Sequence, residues 1–197
     1  MNRTLRVAIA DDELDMREFL DETLRRLGHD VVAAAGTGRQ LVDACLAEHP
    51  DLVITDIRMP ELDGLDAAQA IYDRQPIPII VITAHHDEEF VERAQERHVL
   101  AFLVKPIEES DLAPAIAIVL RRFDEFQALR QENQTLAQAL QDRKVIERAK
   151  GLLMKQGHLD EAAAFKRLQK LARDQRKKMA EVAQMIVTTF DALASQE

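Results

Sequence analysis

The chain has 197 residues, with 26 Lys and Arg against 35 Asp and Glu, and a formal net charge of −9. Its length can bury at least one sizeable core, and 47% apolar with 31% charged residues excludes an intrinsically disordered chain. Taken as an average, the acidic balance argues against a nucleic-acid binder, which usually presents a basic surface.

No apolar run approaches the roughly 18 residues of a membrane-spanning helix; the longest, around residues 79–84, is far too short. The first residues lead straight into an apolar, strand-like segment without a signal pattern, so a cytoplasmic location without membrane contact is expected. Cys45 is the only cysteine, which excludes an internal disulfide and a cysteine metal cluster. Its place in a helical pattern beside Leu41 and Leu46 predicts a buried structural thiol.

In chain order, short apolar runs at 5–10, 31–35, 52–55, 77–83 and 100–104 read as buried strands. Residues 14–27, 38–48, 65–73 and 88–97 between them read as helices. The alternation predicts an α/β fold, a doubly wound five-stranded parallel sheet with right-handed crossovers. Ligands of such sheets bind outside the carboxyl ends of the strands. There the sequence places Asp11 and Asp12 (with Glu13 following), Asp56 with Arg58, Met59-Pro60 and Asp63-Gly64 beyond it, Thr83-Ala84, and Lys105-Pro106.

Three clustered carboxylates repel one another unless a cation joins them. Oxygen-only ligands suit Mg2+, which uses one or two carboxylates and keeps waters and phosphate oxygens. Asp56 is then a candidate nucleophile toward a phosphoryl group, forming an aspartyl phosphate. Lys105 and Mg2+ would neutralise the phosphoryl oxygens, and the Thr83 hydroxyl would donate to one of them. Singly, each residue has an ordinary reading: Asp11-Asp12 as a helix cap, Asp56 as a turn residue, Lys105 as a solvated charge, Thr83 as part of a strand. Their convergence at one end of one sheet favours the chemistry. His85, His86 and Asp87 read as a polar loop, for want of a third ligand at helical spacing.

After residue 110 the alternation stops. Ser110-Asp111 can start a helix with Pro114 in its first turn. One heptad phase aligns Val119, Phe126, Asn133 and Leu140 at one core position and Arg122, Leu129, Leu136 and Arg143 at the other. This imperfect seam predicts either a homodimer through the linker helix or an amphipathic connector packed inside its own chain. Three further helices are expected at about 143–155, 161–174 and 177–193, with Asp160 as an N-cap. Their apolar faces carry Val145, Ile146, Ala149, Leu152 and Leu153; Ala164, Phe165, Leu168, Leu171 and Ala172; and Val182, Ala183, Ile186 and Val187.

Charge is unevenly spread. Residues 143–178 hold 12 basic and 4 acidic side chains, net +8, against −14 for residues 1–142 and −3 for the tail. The distribution therefore reverses the inference from the average, because a basic stripe is what phosphate-backbone binding needs. Phe165 is the only aromatic in that segment. Its place on a core face predicts groove or loop contacts by basic and polar side chains rather than aromatic stacking.

From residue 5 to about 120 the chain resembles the receiver domain of two-component response regulators, on Asp11-Asp12, Asp56, Met59-Pro60, Asp63-Gly64, Thr83-Ala84 and Lys105-Pro106 in that order. The resemblance implies that Asp56 accepts phosphate from a sensor histidine kinase. It implies that Asp12 and Asp56 ligate Mg2+, with Asp11 helping directly or through water and the Arg58 carbonyl contributing. It further implies a cis Lys105–Pro106 bond and a switch formed by Thr83 and Phe102, though Phe102 also reads as an ordinary core aromatic.

The run from Arg143 and Lys144 through Ile146, Ala149-Lys150-Gly151 and Leu153-Met154 resembles the ANTAR domain, and the likeness extends over about 137–193. It implies binding to RNA hairpins that prevents a transcription terminator from forming. Candidate RNA contacts are Arg143, Lys144, Arg148, Lys150, Lys177 and Lys178, with Ala149 and Gly151 as packing residues. The expected organisation is a phosphoacceptor receiver at 1–120, a helical or coiled-coil linker at 121–140 and an ANTAR-like RNA-binding helical domain at 141–197. The expected function is a phosphorylation-controlled transcription antiterminator, not an enzyme beyond its own phosphorylation and dephosphorylation at Asp56. Two readings stay beside it: a DNA-binding response regulator using the C-terminal helices as a helix-turn-helix, and a phosphorelay or protein-docking module.

Overall fold

The structure, a computed structural model, describes residues 3–84 and 99–194. The helix expected at 88–97 and the loop at His85, His86 and Asp87 lie outside the described residues. The chain divides into two compact units, residues 1–127 and 128–197.

In the first unit, β1 (Arg6–Ala10), β2 (Asp30–Ala35), β3 (Leu52–Asp56), β4 (Ile79–Thr83) and β5 (Ala101–Val104) form one parallel sheet in the order β2-β1-β3-β4-β5. Among the described residues, its helices are α1 (Leu14–Arg26), α2 (Gly38–Glu48), α3 (Gly64–Arg74) and the first turns of α4 (Glu109–Gly157). Side chains alternate across a strand, so each strand feeds two cores. Val7, Ile9, Leu52, Ile54, Ile80 and Ile82 pack with Leu20, Leu24, Leu112, Ile116 and Val119 of α1 and α4. Ala8, Ala10, Val53, Ile79 and Val81 pack with Leu41, Leu65, Ala68 and Ile71 of α2 and α3. Burial on both faces is why the strands read as unbroken apolar runs. Each fully buried Leu or Ile contributes roughly 1.5–3 kcal/mol by leaving water.

Helix starts follow local chemistry. The Thr37 side chain accepts from the Gln40 N–H at 3.2 Å, and Asp63 accepts from the Asp66 N–H at 2.7 Å. Asp11 and Asp12 are not caps: Glu13 holds the N-cap position of α1 without a side-chain cap bond. β1 feeds a helix on one face and β3 a helix on the other, so a crevice opens at their carboxyl ends.

In the second unit, the expected linker and first C-terminal helix are one continuous α4. No proline follows Pro114, and a single Gly151 costs only about 1 kcal/mol against Ala, too little to break so long a helix. The helices α5 (Glu161–Asp174) and α6 (Met179–Ala194) pack on its C-terminal turns. Asp160 caps α5, its carboxylate accepting from the Ala163 N–H at 2.7 Å. The core holds Ala149, Leu168, Ala172, Val182, Ala183 and Val187.

Three local readings change. Phe165, expected on the core face, is 38% exposed. Gly151, expected to pack, faces open space, whereas Ala149 is fully buried. Val119, placed on the heptad seam, is buried in the receiver core. Beyond it, Phe126, Leu129, Leu136 and Leu140 stay exposed.

Candidate functional site

The β1, β3, β4 and β5 termini bring Asp11, Asp56, Thr83 and Lys105 to one edge of the sheet, at registers Asp56↔Ile82 and Thr83↔Val104. A cavity of about 180 Å3 opens there, lined by Asp12, Glu13, Asp56, Arg58, Thr83 and Lys105 among others. Lys105 Nζ donates to Asp11 Oδ2 at 2.9 Å and lies 3.1 Å from Asp56 Oδ1. One ammonium thus joins two carboxylates from different strands. The second Asp56 oxygen accepts from the Arg58 N–H at 2.6 Å. Asp11 Oδ1 accepts from the Glu13 N–H at 2.9 Å, and the Arg17 guanidinium donates to the Asp11 and Asp12 carbonyls at 2.6 and 3.2 Å.

Asp11 is fully buried, while Asp12 and Glu13 are exposed; one ligand atom from each can lie within 4.8 Å of the others. This all-oxygen set suits a hard divalent cation. In the sequence Glu13 is only the residue after the acidic pair; its N-cap position at the start of α1 brings it into the cluster. Gly64, which the sequence singles out only as part of the Asp63-Gly64 pair, has a steric role the structure makes visible. A Cβ there would land on the Asp56 carbonyl oxygen, and the Gly64 N–H donates to the Ile57 carbonyl at 2.8 Å. Only glycine lets the start of α3 approach the strand end so closely.

Burial pushes the Asp56 carboxyl above the usual 3.8, against the opposing pull of Lys105 and the Arg58 N–H, with the Asp11 charge adding to the rise. Burial also disfavours the Lys105 ammonium, but its bonds to Asp11 and Asp56 outweigh this and hold it above the usual 10.5. Lys105 therefore stays cationic at neutral pH. The Lys105–Pro106 peptide is cis. Phe102 is half-buried, against the core shared with α2 and α3.

The basic residues of the second unit fall into two groups. Arg148 pairs with Asp191 at 2.7 Å. Lys150 is 7% exposed, and its Nζ reaches Glu147 at 2.9 Å and Glu161 at 2.7 Å. These carboxylates hold its ammonium above the usual value, Glu161 first, and Lys150 in turn pulls the Glu161 carboxyl down. Arg143, Lys144, Lys177 and Lys178 are exposed.

A five-stranded parallel sheet in this order, with acidic, aspartate, threonine and lysine positions at its carboxyl edge, defines a receiver domain. Residues 7–117 match the response regulator receiver domain and residues 134–187 the ANTAR domain; the chain belongs to the response regulators that join these two. It is 44% identical over 185 residues to the transcriptional regulatory protein PdtaR of Mycobacterium tuberculosis (strain ATCC 25618 / H37Rv), covering 94% of this chain and 90% of that one. Among solved structures, the receiver domain of the putative response regulator NarL from M. tuberculosis aligns with TM-score 0.58 and 27% identity, over 61% of this chain and 98% of that one. The receiver domain of a modulated diguanylate cyclase from Desulfovibrio desulfuricans G20 aligns with TM-score 0.59 and 27% identity, over 62% and 98%. Among the described residues, no helix is long and apolar enough to cross a membrane.

Proposed function

We propose that the protein is a phosphorylation-controlled transcription antiterminator that accepts phosphate on Asp56 and binds RNA hairpins through its second unit. The observation that carries the first half is the bridge of Lys105 between Asp11 and Asp56 beside an open cavity. The ANTAR match over residues 134–187 supports the second.

An Asp56 carboxylate oxygen attacks the phosphorus of a phosphohistidine on a sensor kinase. The O–P bond forms as the N–P bond breaks, and the imidazole leaves with the electron pair. The Arg58 N–H orients the nucleophile. Lys105, already in the site, pairs with a phosphoryl oxygen once the aspartate charge is spread over the phosphate. The Thr83 hydroxyl, on the cavity wall, donates to another. Asp11, Asp12 and Asp56, with the Arg58 carbonyl, are the residues to hold Mg2+, and Glu13 lies within the same reach of Asp11 and Asp12. When bound, that ion supplies charge neutralisation for the phosphoryl oxygens. Phe102, half-buried on β5 three residues before Lys105, is the residue that would follow Thr83 inward. The exposed Phe126, Leu129, Leu136 and Leu140 offer a seam for a second copy, which phosphorylation would favour.

The test has two parts. Asp56→Asn should abolish acid- and base-labile phosphate incorporation from an acyl phosphate donor; incorporation at the wild-type level would refute the site. Selection of RNA from total transcripts, with and without phosphorylation, should recover hairpins that overlap terminators. Enrichment of duplex DNA instead would transfer the reading to a DNA-binding regulator.

A further inference from the structure

The basic residues of the second unit differ in what neutralises them and in what stands beside them. On α4, Arg148 and Lys150 are paired with carboxylates of the same unit, while Arg143, Lys144 and Lys155 are exposed without an ion pair among the described residues but have no aromatic side chain near them in the sequence. On α5 and the turn after it, Lys166, Arg167, Lys170, Arg173, Arg176, Lys177 and Lys178 are exposed, and no ion pair engages them among the described residues. Asp174 is the one acidic residue between Glu161 and Glu181. At 3.6 residues per turn, Phe165, Gln169, Arg173, Lys166 and Lys170 share an arc of about 140°. Ala164, Leu168, Leu171 and Ala172 occupy the opposite, core-facing side. The 38% exposed Phe165 ring thus stands at the edge of an uncompensated cationic stripe.

Resting on the hairpin reading above, we propose that this face of α5 is the RNA contact surface. Phe165 stacks on an unpaired loop base while Lys166, Lys170 and Arg173 bind the backbone phosphates. An aromatic face flanked by free cations is the combination that single-stranded RNA takes, since every base offers a π-face and every linkage a charge. Lys166, Lys170 and Arg173 rise along the helix by about 6 and 4.5 Å, so they can meet neighbouring phosphates. Lys150 does not touch RNA. It is a positioning residue: its bond to Glu161, the first residue of α5, ties that helix to α4.

The experiment measures binding by the full-length chain, treated with Mg2+ and an acyl phosphate, across a salt series. The probes are a synthetic RNA stem–loop and the same stem as a blunt duplex. The joint Lys166→Gln, Lys170→Gln, Arg173→Gln variant should flatten the log–log salt slope by about 2 to 3. Phe165→Leu should weaken stem–loop binding roughly tenfold and leave the blunt duplex unchanged. Arg143→Gln with Lys144→Gln and Lys155→Gln should leave the slope as it is, and Lys150→Met should lower the melting temperature with the slope intact. If the wild type binds the stem–loop but the α5 variants keep its slope and affinity, this surface is wrong and the RNA reading stands. If the wild type binds neither RNA, the RNA reading falls and this assignment with it.

Discussion

Replacing Lys105 by Met tests the electrostatic logic of the proposed phosphoacceptor site. The ammonium lies 2.9 Å from Asp11 and 3.1 Å from Asp56, with side chains 16%, 0% and 8% exposed respectively. Its loss leaves two buried carboxylates without a cation. Removing one partner of a fully buried pair costs about 3–5 kcal/mol. The open side of the cavity lets water screen part of this, so about 2–3 kcal/mol is expected at neutral pH in EDTA. For a chain of this size that is a fall of roughly 5–10 °C in melting temperature, read by circular dichroism. Saturating Mg2+ should recover much of the loss by supplying another cation. The cost should shrink in an Asp56→Asn background, where one repelling charge is gone. It should also shrink as pH falls, because Asp56, already raised by burial, takes up a proton more readily in the folded state than in the unfolded one. A fall under about 1 °C, or an equal fall in both backgrounds, would refute the bridging role.

His29 is half-buried, its ring Nδ1 accepts from the Leu5 N–H at 3.4 Å, and burial lowers it below the usual 6.5. The unfolded state then binds the proton first, so stability is lost as pH falls from about 6.5 through the lowered native value. His29→Gln should flatten that part of the pH–melting curve; an unchanged curve refutes it. Gly64→Ala should destabilise the receiver by about 3 kcal/mol and slow phosphorylation, since the added methyl strikes the Asp56 backbone rather than a flexible side chain. Gly151→Ala, with open space at the added methyl, should instead stabilise its helix by about 0.5–1 kcal/mol, read in the same melts. Burial pushes the Cys45 thiol up to about 12, so it should resist thiol reagents in the native chain and react at once in denaturant.

The sequence alone determined the order of the described strands and helices in the receiver, because strands buried on both faces must be apolar throughout and helices must keep one wet side. It also indicated which side chains meet, since the carboxyl ends of parallel strands share one edge, where Asp11, Asp56, Thr83 and Lys105 fall. Tertiary structure decided which of these charges are spent. Lys105 meets Asp11 across 94 residues and Lys150 meets Glu161 across 11, and residue type did not distinguish a lysine bridging carboxylates at the sheet edge from one locked between helices. Periodicity put Phe165 among apolar neighbours. The core of the second unit is filled by Ala149, Leu168, Ala172 and Val182, and it leaves that ring at the surface. The linker and the first C-terminal helix are one, because no local signal stops α4 before Gly157. Local pattern depends on which side of an element is wet. Pairing and exposure depend on what the rest of the chain brings to that side, and only the folded molecule contains that information.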